Sequence, residues 1–255
     1  QEFLKKGYVT FSVEKIATLK NVQEMIATEI SASGKNTLGK NLDEIHACIS
    51  VSEINDLRIK IYNLINQQPG FTKKYFKLFE KQLSKLIGNE LACQNKVNVS
   101  IQMPGDTTST LALHTDTVAG QSKFEVVAWL PLTAAFETNA MYVFSIEDSQ
   151  DMLMELPQYQ EKGMNALFND WQHKASFIEV KEGEALIFSS NLMHGNVVNK
   201  TSRTRISLNS RYKGLFTPYN DYPYSEKKLG GFYMPMSLSP VTELAIKIKE
   251  PFGEF

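Results

Sequence analysis

The sequence predicts a mainly β core with flanking helices, an α+β arrangement in one domain spanning residues 1–255. Of its 255 residues, 42% are hydrophobic, enough for a sizeable core at a length that single β domains often reach. Up to about residue 94, apolar residues recur at helical spacing. From Lys96 the period falls to two, in short segments separated by turn residues. Many short strands joined by turns are typical of a sandwich or a jelly-roll barrel.

Three helices are predicted before the change of period. The first covers residues 12–30, after a short strand at residues 8–11, and Ser12 gives it a weak N-cap signal. The other two cover residues 54–65 and 74–87, where apolar side chains form one stripe. Residues 1–94 are therefore expected to form a helical support for the segment that follows.

The strands are predicted in residues 95–212. The alternation is clearest from Val97 to Met103, where a Pro-Gly-Asp turn ends it. Seven further strands are predicted at residues 111–116, 124–132, 141–146, 176–180, 185–189, 195–198 and 204–212. A helical insertion is predicted at about residues 149–172, with an acidic face that is either solvated or covers an active-site mouth. Residues 213–255, rich in aromatic residues, Pro and Gly, predict no regular structure.

Charge and composition exclude several classes of protein. With 27 basic against 28 acidic residues and no Lys/Arg run, the chain lacks the pattern of a protein that binds nucleic acid or an anionic membrane surface. No apolar stretch approaches the roughly 18 residues of a membrane span. The N-terminus lacks the apolar core of a signal peptide. The two cysteines, Cys48 and Cys93, form no spaced cluster, and we expect a reducing, cytoplasmic location.

Two histidines and one aspartate form a candidate metal site. His114 and Asp116 end a predicted strand, so their side chains project to the same side. A surface histidine hydrogen-bonded to a nearby carboxylate has the same local pattern. His194 lies 78 positions after Asp116 and is followed by Gly195, which permits the close approach of a backbone or ligand. Two imidazoles and one carboxylate form the facial triad that holds non-heme Fe(II) and leaves positions open.

The remaining two histidines have no partner at metal spacing. These residues, His46 and His173, fall in helical or loop contexts. We therefore expect both to be structural or solvated.

The last predicted strand alternates polar and apolar side chains. Its apolar face carries Ile206 and Leu208, and its polar positions are Arg203, Arg205, Ser207, Asn209 and Arg211. An antiparallel strand with one side in water has this pattern. A polar barrel interior that receives a dicarboxylate has it too, because guanidinium is a fixed fork that matches carboxylate oxygens. On the second interpretation the three arginines form a positive cluster for one small dicarboxylate, which Arg205 and Ser207 grip together.

Taken together, these motifs resemble the Fe(II)/2-oxoglutarate-dependent oxygenases of the phytanoyl-CoA dioxygenase-like group. The resemblance lies in His114-x-Asp116, His194-Gly-Asn-x-x-Asn-Lys-Thr, Arg205 eleven residues past His194, Val127-Ala-Trp129 and Gly7-Tyr8-Val9. A bacterial branch found in carbohydrate biosynthesis clusters, including the streptomycin-biosynthesis type, is most similar at Gln102-Met-Pro-Gly-Asp106, His114-Thr-Asp-Thr-x-x-Gly120 and Trp129-Leu-Pro-Leu132. The motifs cover about residues 95–212.

The resemblance implies a cupin-like jelly roll, the double-stranded β-helix, with N-terminal helices. It implies Fe(II) bound by His114, Asp116 and His194. It also implies 2-oxoglutarate as cosubstrate, with its distal carboxylate on Arg205 and Ser207. The other residues predicted to lie at the cofactor and cosubstrate are Trp129, Gln102, Thr115 and Asn196.

The implied reaction uses O2 and hydroxylates a sugar, nucleotide sugar or other carbohydrate-derived small molecule, with release of succinate and CO2. Epoxidation, desaturation and cyclisation stay open, as does a non-sugar metabolite as substrate. Two other classes remain, a non-redox metal-containing jelly-roll carbohydrate-binding protein and a zinc hydrolase with the same ligands. Aromatic side chains near the C-terminus are expected to stack on a sugar or to pack in a homodimer interface: Tyr212, Phe216, Tyr219, Tyr222, Tyr224, Phe232 and Tyr233.

Overall fold

Two antiparallel sheets face each other, and helices cover the outer side of each. The computed structural model describes residues 1–32, 41–219 and 226–248, so Tyr222 and Tyr224 lie outside the described residues. The described strands are β1 (Tyr8–Ser12), β2 (Leu91–Gln94), β3 (Asn98–Gln102), β4 (Glu125–Pro131), β5 (Tyr142–Val143), β6 (Ser176–Phe177), β7 (Glu184–Ser189), β8 (His194–Gly195), β9 (Arg205–Gly214) and β10 (Tyr233–Ser237). The predicted mainly β core is confirmed.

The larger sheet is built around β9. Its strand order is β1-β7-β4-β9-β2-β10, and β3 pairs with β9 on the same side as β2. The smaller sheet has the order β6-β5-β8. Because β9 is long enough to pair with β4 along one edge and with β3 and β2 along the other, it spans the whole width of the site described below.

The two faces of β9 have opposite environments. Ile206 and Leu208 pack into the main hydrophobic cluster, together with residues of the helices. Arg205, Asn209 and Arg211 line a cavity between the sheets. Arg205 is only 2% exposed, so the polar face lies inside the protein and not in water. The polar face of β9 therefore lies in the interior, as the second interpretation of this strand requires, and its binding of a dicarboxylate stays a prediction.

Helices cover both sheets on their outer sides. Their bounds are α1 (Glu2–Lys6), α2 (Ile16–Ala32), α3 (Ile54–Gln67), α4 (Phe71–Phe76), α5 (Glu80–Ile87), α6 (Ile146–Glu155), α7 (Met164–Trp171) and α8 (Pro240–Lys247). Helices α2 to α5 pack their apolar faces on the larger sheet, whose outward residues Val126, Ala128 and Leu130 alternate with inward Val127 and Trp129. Among the described helices, none combines the length and the hydrophobicity that a bilayer span needs.

The insertion between the strands packs on the outside of the smaller sheet. It consists of α6 and α7, and the ring of Tyr142 on β5 stacks on Phe168 of α7 with centroids 4.8 Å apart. Met152 and Leu167 complete this contact. The acidic side of α6 is exposed, as at Glu147. The insertion thus has a solvated acidic face and contributes no residue to the cavity lining.

Several predicted element boundaries are wrong for local reasons. Helix α2 begins at Ile16, because Ser12 pairs with Glu184 and ends β1. The helix predicted over residues 74–87 is two helices, α4 and α5, separated by a tight turn in which Leu78 N–H donates to Tyr75 O. The strands predicted at 141–146, 176–180 and 195–198 have only two residues each, as β5, β6 and β8.

Regular structure also occurs where the sequence predicts none. Strand β2 is fully buried and does not alternate, so it lacks a period-two signal. After residue 213, β10 pairs with β2 as an edge strand, and α8 follows behind a Ser239 N-cap. Proline at position 235 within β10 weakened the strand signal, and an edge strand tolerates proline.

Tyr75 of α4 provides a test of the contact between helices and sheet. Its hydroxyl lies 3.1 Å from Ala128 O on β4 and 3.0 Å from Leu208 O on β9, and it shares its proton between them. The side chain is fully buried, so Tyr75→Phe should lower the free energy of unfolding by about 1 kcal/mol through loss of this hydrogen bond. Chemical denaturation measures the change. The same substitution at half-buried Tyr62 of α3 is the control, and an equal effect at both positions would contradict the assignment.

Candidate metal centre

His114, Asp116 and His194 converge between the two sheets. Each offers one ligand atom, and these three atoms lie within 4.8 Å of one another. His194 begins β8, and the other two residues lie in the segment between β3 and β4. The three residues that the sequence predicts as a triad are thus brought together.

The backbone that positions His114 and Asp116 is not the strand predicted at residues 111–116. His114 forms an isolated antiparallel bridge with His194, through hydrogen bonds of 3.0 and 2.9 Å in the two directions. Asp116 N–H donates to Ser190 O at 3.1 Å, in a different register. Because the register shifts between these contacts, no continuous ladder forms. The two side chains therefore converge because backbone hydrogen bonds to residues 190 and 194 and a turn place them. The prediction attributes their convergence to the alternation of side chains along a strand.

Gly195 allows this close approach. A Cβ at this position would lie 2.8 Å from Leu111 O and would also meet the Tyr142 hydroxyl. Any side chain here would push apart the two segments that carry the histidines. The predicted role of this glycine, to permit a close backbone approach, agrees with these distances.

Both imidazoles are fixed in the tautomer that a metal requires. Nδ1 of His114 lies 2.8 Å from Ala112 O, and Nδ1 of His194 lies 2.8 Å from Leu192 O. Because a carbonyl oxygen only accepts, each Nδ1 carries the proton and each Nε2 keeps its lone pair. Burial lowers the pKa of His194 to about 4, and the charge of His114 adds to this effect, so the His194 imidazole is neutral near pH 7.

Asp116 is held as a carboxylate by Arg211. Burial opposes its ionisation, but the charge of Arg211, helped by the two histidines, outweighs burial and lowers the pKa of Asp116. Arg211 Nη2 donates to Oδ1 at 2.7 Å and Nε donates to Oδ2 at 3.2 Å. Since each carboxylate oxygen accepts at more than one lone pair, Asp116 can still bind a cation. Two imidazoles whose Nε2 atoms are free and one carboxylate therefore fit a divalent transition metal.

The triad opens into a cavity of about 360 Å³ between the sheets. This volume falls within the range of about 300 to 1,000 Å³ that is usual for small-molecule sites. The larger sheet contributes Ser100, Val127, Trp129, Phe188, Arg205, Asn209 and Arg211 to the lining, and the mouth is formed by Arg58, Thr108, Ser109, Thr110, Leu111 and Asn196. The cavity is therefore suited to a small polar ligand.

Arg205 is a buried cation without a counterion. No carboxylate among the described residues pairs with it, and its Nε has no hydrogen-bond partner. Nη2 lies 3.3 Å from Ser100 Oγ, and the guanidinium carbon lies 5.6 Å from the centre of the Trp129 ring. Burial lowers the pKa of Arg205 to about 10. Because burying an unpaired charge is costly, this arginine indicates a site for an anion.

Ser207 and Gln102 flank Arg205. Ser207 lies opposite Ser100 in the pairing of β3 with β9, and its hydroxyl is fully buried without a partner. Gln102, opposite Arg205, donates from Nε2 to Val197 O and leaves Oε1 unpaired. Neither lines the cavity directly, although both lie next to a residue that does.

Thr115 and Asn196 have structural contacts. The Thr115 hydroxyl lies 3.0 Å from Thr117 Oγ1, and the side chain is fully buried away from the cavity lining. Asn196 does line the cavity, but its Oδ1 accepts from Leu111 N–H and its Nδ2 donates to Ser109 O at 3.2 Å. Asn196 therefore joins the mouth segment to β8.

The predicted cluster of three arginines is wrong. Arg203 points to the surface, where it pairs with Asp43 at 3.4 Å and Glu44 at 2.7 Å. Arg211 pairs with Asp116. Only Arg205 of the three has a guanidinium without an acidic partner among the described residues, because the other two meet carboxylates from distant parts of the chain.

The burial and the partners of two acidic residues near the site, Glu125 and Asp106, were not predicted from the sequence. Burial raises the pKa of Glu125 to about 8, and this side chain accepts from the Tyr233 hydroxyl. Asp106 is buried and accepts from Arg58 of α3 at 3.0 Å. Glu125 is an isolated acid in a strand and Arg58 an isolated arginine on a helix, while Asp106 belongs to a turn. Their partners lie far away in the sequence, so residue spacing does not predict the contacts.

The remaining predictions concern side chains outside the cavity. Tyr219 and Phe232 pack against Tyr233, with ring centroids 5.3 and 4.8 Å apart, and Phe216 is 70% exposed. None of the five described aromatic residues of this segment lines the cavity. Tyr219, Phe232 and Tyr233 pack against one another, so these three do not take the predicted position for stacking on a sugar in the cavity. His46 bonds to Thr204 Oγ1 at 2.9 Å and His173 is exposed, as expected for structural and solvated histidines.

Solved structures with the same architecture include one described as a non-heme monooxygenase and two described with a bound metal. A non-heme monooxygenase, the ThoJ–Ni complex, has a TM-score of 0.52 at 16% identity and covers 93% of this chain and 82% of its own. HygX from Streptomyces hygroscopicus, with nickel and 2-oxoglutarate bound, has a TM-score of 0.53 at 13% identity, covering 84% and 85%. EctD from S. alaskensis with bound Fe has a TM-score of 0.53 at 14% identity, covering 86% and 76%.

These likenesses establish the fold and not the activity, because all the identities are below 20%. No protein-family model matches the sequence, and no curated protein matches it. The predicted fold class is confirmed: the chain has the cupin-like jelly roll of these non-heme oxygenases, with its helices on the outside.

Proposed function

We propose that this protein is a non-heme Fe(II)- and 2-oxoglutarate-dependent oxygenase. The observation that carries the proposal is one cavity that contains both a triad of two imidazoles and one carboxylate and a buried arginine without an acidic partner among the described residues. The triad suits Fe(II), and the arginine suits the distal carboxylate of a dicarboxylate cosubstrate. The likeness to structures described with Fe or with nickel and 2-oxoglutarate supports the same conclusion.

The residues have separate roles in this proposal. His114, Asp116 and His194 hold the metal, which when bound with O2 and 2-oxoglutarate supplies the oxidation of a substrate C–H bond. Arg205 binds the far carboxylate of the cosubstrate together with the hydroxyl of Ser100, which also lines the cavity, and Ser207 lies next to this position opposite Ser100. Their fixed positions orient the cosubstrate before reaction, so little ordering is needed at the reactive step.

We propose a carbohydrate-derived small molecule as the substrate. The mouth of the cavity is lined by polar side chains, and the hydroxyls of Thr108 and Thr110, which donate to Asp106 Oδ1 and Thr107 O, keep lone pairs that can accept from a substrate hydroxyl. Arg58 there is already paired with Asp106, so the mouth carries little net charge. Such a lining favours an uncharged, hydroxyl-rich ligand over an ionic one. The similarity of the sequence motifs to a branch from carbohydrate biosynthesis clusters points the same way.

The proposal also includes a single oxygenase domain in the cytoplasm. Helices α2 to α5 and the larger sheet share one hydrophobic cluster, which supports one folding unit. Cys93 is a buried free thiol, as is usual in a reducing compartment.

Anaerobic titration followed by exposure to oxygen tests the function. Purified protein is titrated with Fe(II) and then 2-oxoglutarate under anaerobic ultraviolet-visible detection, and succinate is measured after air is admitted. The oxygenase proposal requires metal-dependent binding of 2-oxoglutarate and formation of succinate, which a panel of free and nucleotide-linked sugars should accelerate. Metal binding without succinate would instead indicate a non-redox carbohydrate-binding protein, and stoichiometric zinc without oxygen consumption would indicate a hydrolase.

Asp116→Ala should abolish metal binding and turnover. Residues that merely orient a ligand already change metal affinity by about 10- to 100-fold, so loss of a ligand should weaken Fe(II) binding by more than about 100-fold. Fe(II) titration and succinate formation measure the two effects. Asp151→Ala on the exposed side of α6 is the matched control. Wild-type iron affinity in Asp116→Ala would remove Asp116 from the site.

Arg205→Gln should weaken 2-oxoglutarate binding by about 100-fold while leaving the metal bound. Loss of a buried charge-assisted pair costs about 3 kcal/mol, which corresponds to that factor. Calorimetric titration of the metal-loaded protein with 2-oxoglutarate measures the dissociation constant. Arg203→Gln, which removes an arginine with surface partners, should leave it unchanged. Equal affinities for wild type and Arg205→Gln would show that the cosubstrate carboxylate lies elsewhere.

A further inference from the structure

We propose that Arg211 is a positioning residue that sets the orientation of the Asp116 carboxylate for metal binding. The inference rests on the metal site of the proposed function, but it concerns a residue that the sequence motifs do not place there. Arg211 contacts both oxygens of Asp116 and lies on β9, six residues beyond Arg205.

Each of the three metal-binding side chains has its own orienting partner. Ala112 O fixes the ring of His114, and Leu192 O fixes the ring of His194. Among the described residues, Arg211 alone donates hydrogen bonds to the Asp116 carboxylate. Without it, the carboxylate would be free to rotate about its last torsion, whose preferences are broad. Arg211 thus orients the Asp116 carboxylate by hydrogen bonds, as the two backbone carbonyls orient the histidine rings.

Asp116 depends on such a partner because its backbone is irregular. The residue lies outside any strand, and its main chain is tied by Asp116 N–H to Ser190 O at 3.1 Å and by Gln121 N–H to Asp116 O at 3.0 Å. These contacts place the Cα but do not select a rotamer. The plane of the carboxylate is therefore set by the side-chain contact with Arg211.

The guanidinium of Arg211 is itself held on its far side. Nη1 lies 3.2 Å from Gln94 Oε1 on β2, and Nε lies 3.4 Å from Glu125 Oε1 on β4. The Tyr233 hydroxyl of β10 donates to Glu125. The arginine side chain is 15% exposed, so these partners hold it in a largely buried setting. Gln94 of β2 therefore fixes the guanidinium by a hydrogen bond on the side away from Asp116, and Glu125 of β4 adds an electrostatic contact.

Orientation and charge predict different effects of the Arg211→Lys substitution. Loss of the charge in Arg211→Met removes repulsion of a second cation but also removes the charge that favours the Asp116 carboxylate, whereas Arg211→Lys keeps the charge and would resemble wild type if charge were the only role of Arg211. Lysine keeps the charge but is a point donor without the fork that fixes two oxygens in one plane. If Arg211 positions Asp116, both substitutions should weaken metal binding.

Metal titration of the full chain, without cosubstrate or substrate, tests this inference. Co(II) binding is followed by its ligand-field absorption, which reports affinity and coordination geometry independently of turnover. We expect Arg211→Lys and Arg211→Met to lower Co(II) affinity by about 10- to 100-fold, the usual range for residues that orient a ligand, and to change the Co(II) spectrum. Arg203→Lys, the same substitution at a surface arginine, should match wild type in both.

A second variant covers the case in which the Arg211 variants do not fold. Gln94→Met removes the oxygen that holds Nη1 and keeps the side-chain volume, so it should give a smaller loss of affinity in the same direction. Thermal unfolding of the metal-free proteins identifies variants that are folded. Wild-type affinity and spectrum in a folded Arg211→Lys, or tighter binding by Arg211→Met, would overturn the positioning role. If the wild-type protein bound no Co(II), the proposed function and this inference would both be overturned. If the wild-type protein formed succinate and Arg211→Lys kept wild-type Co(II) affinity, this inference alone would be overturned.

Discussion

The need to neutralise buried charge governs the arrangement between the sheets. Asp116 and Arg205 are each no more than 2% exposed, and removal of an ion from water costs several kcal/mol even after the protein relaxes. The ion pair with Arg211 offsets part of this desolvation cost for Asp116. No acidic group among the described residues offsets it for Arg205. A fold that keeps such an arginine retains it at a cost to stability, and a bound dianion is what would offset that cost.

Strand β9 meets this requirement because both of its faces are buried, each for a different reason. Ile206 and Leu208 anchor it to the helices, and this anchoring fixes the strand against rotation. The alternation of strand side chains then forces Arg205 and Arg211 inward. One strand therefore carries both the arginine proposed for the cosubstrate and the arginine proposed to orient a metal ligand.

The sequence was sufficient for those parts of the site that depend on local period or on residue type. Period-two alternation identified β9 as a strand with one polar and one apolar face, without deciding whether the polar face is buried, and the rarity of histidine left few candidates for the triad. The sequence was insufficient where contacts with residues distant in the chain determine the position of a side chain. Arg203 and Arg211 look alike in the strand pattern, yet Glu44 takes one to the surface and Asp116 holds the other inside. The segment around His114 forms no strand because its hydrogen bonds to β8 and to Ser190 fall in different registers, which no local pattern encodes.

The charges in the cavity also couple the two ligands of the proposed function. The described cavity has an excess of positive charge at Arg205, and a divalent metal at the triad would add to it. A dicarboxylate brings the opposite charge, with one end close to the metal and the other on Arg205. Metal and cosubstrate should therefore each bind more tightly in the presence of the other, and by thermodynamic linkage the two enhancements must be equal. Because Arg205 does not contact the triad, its charge reaches the metal mainly through the cosubstrate that joins them, so the coupling is a property of the cavity as a whole.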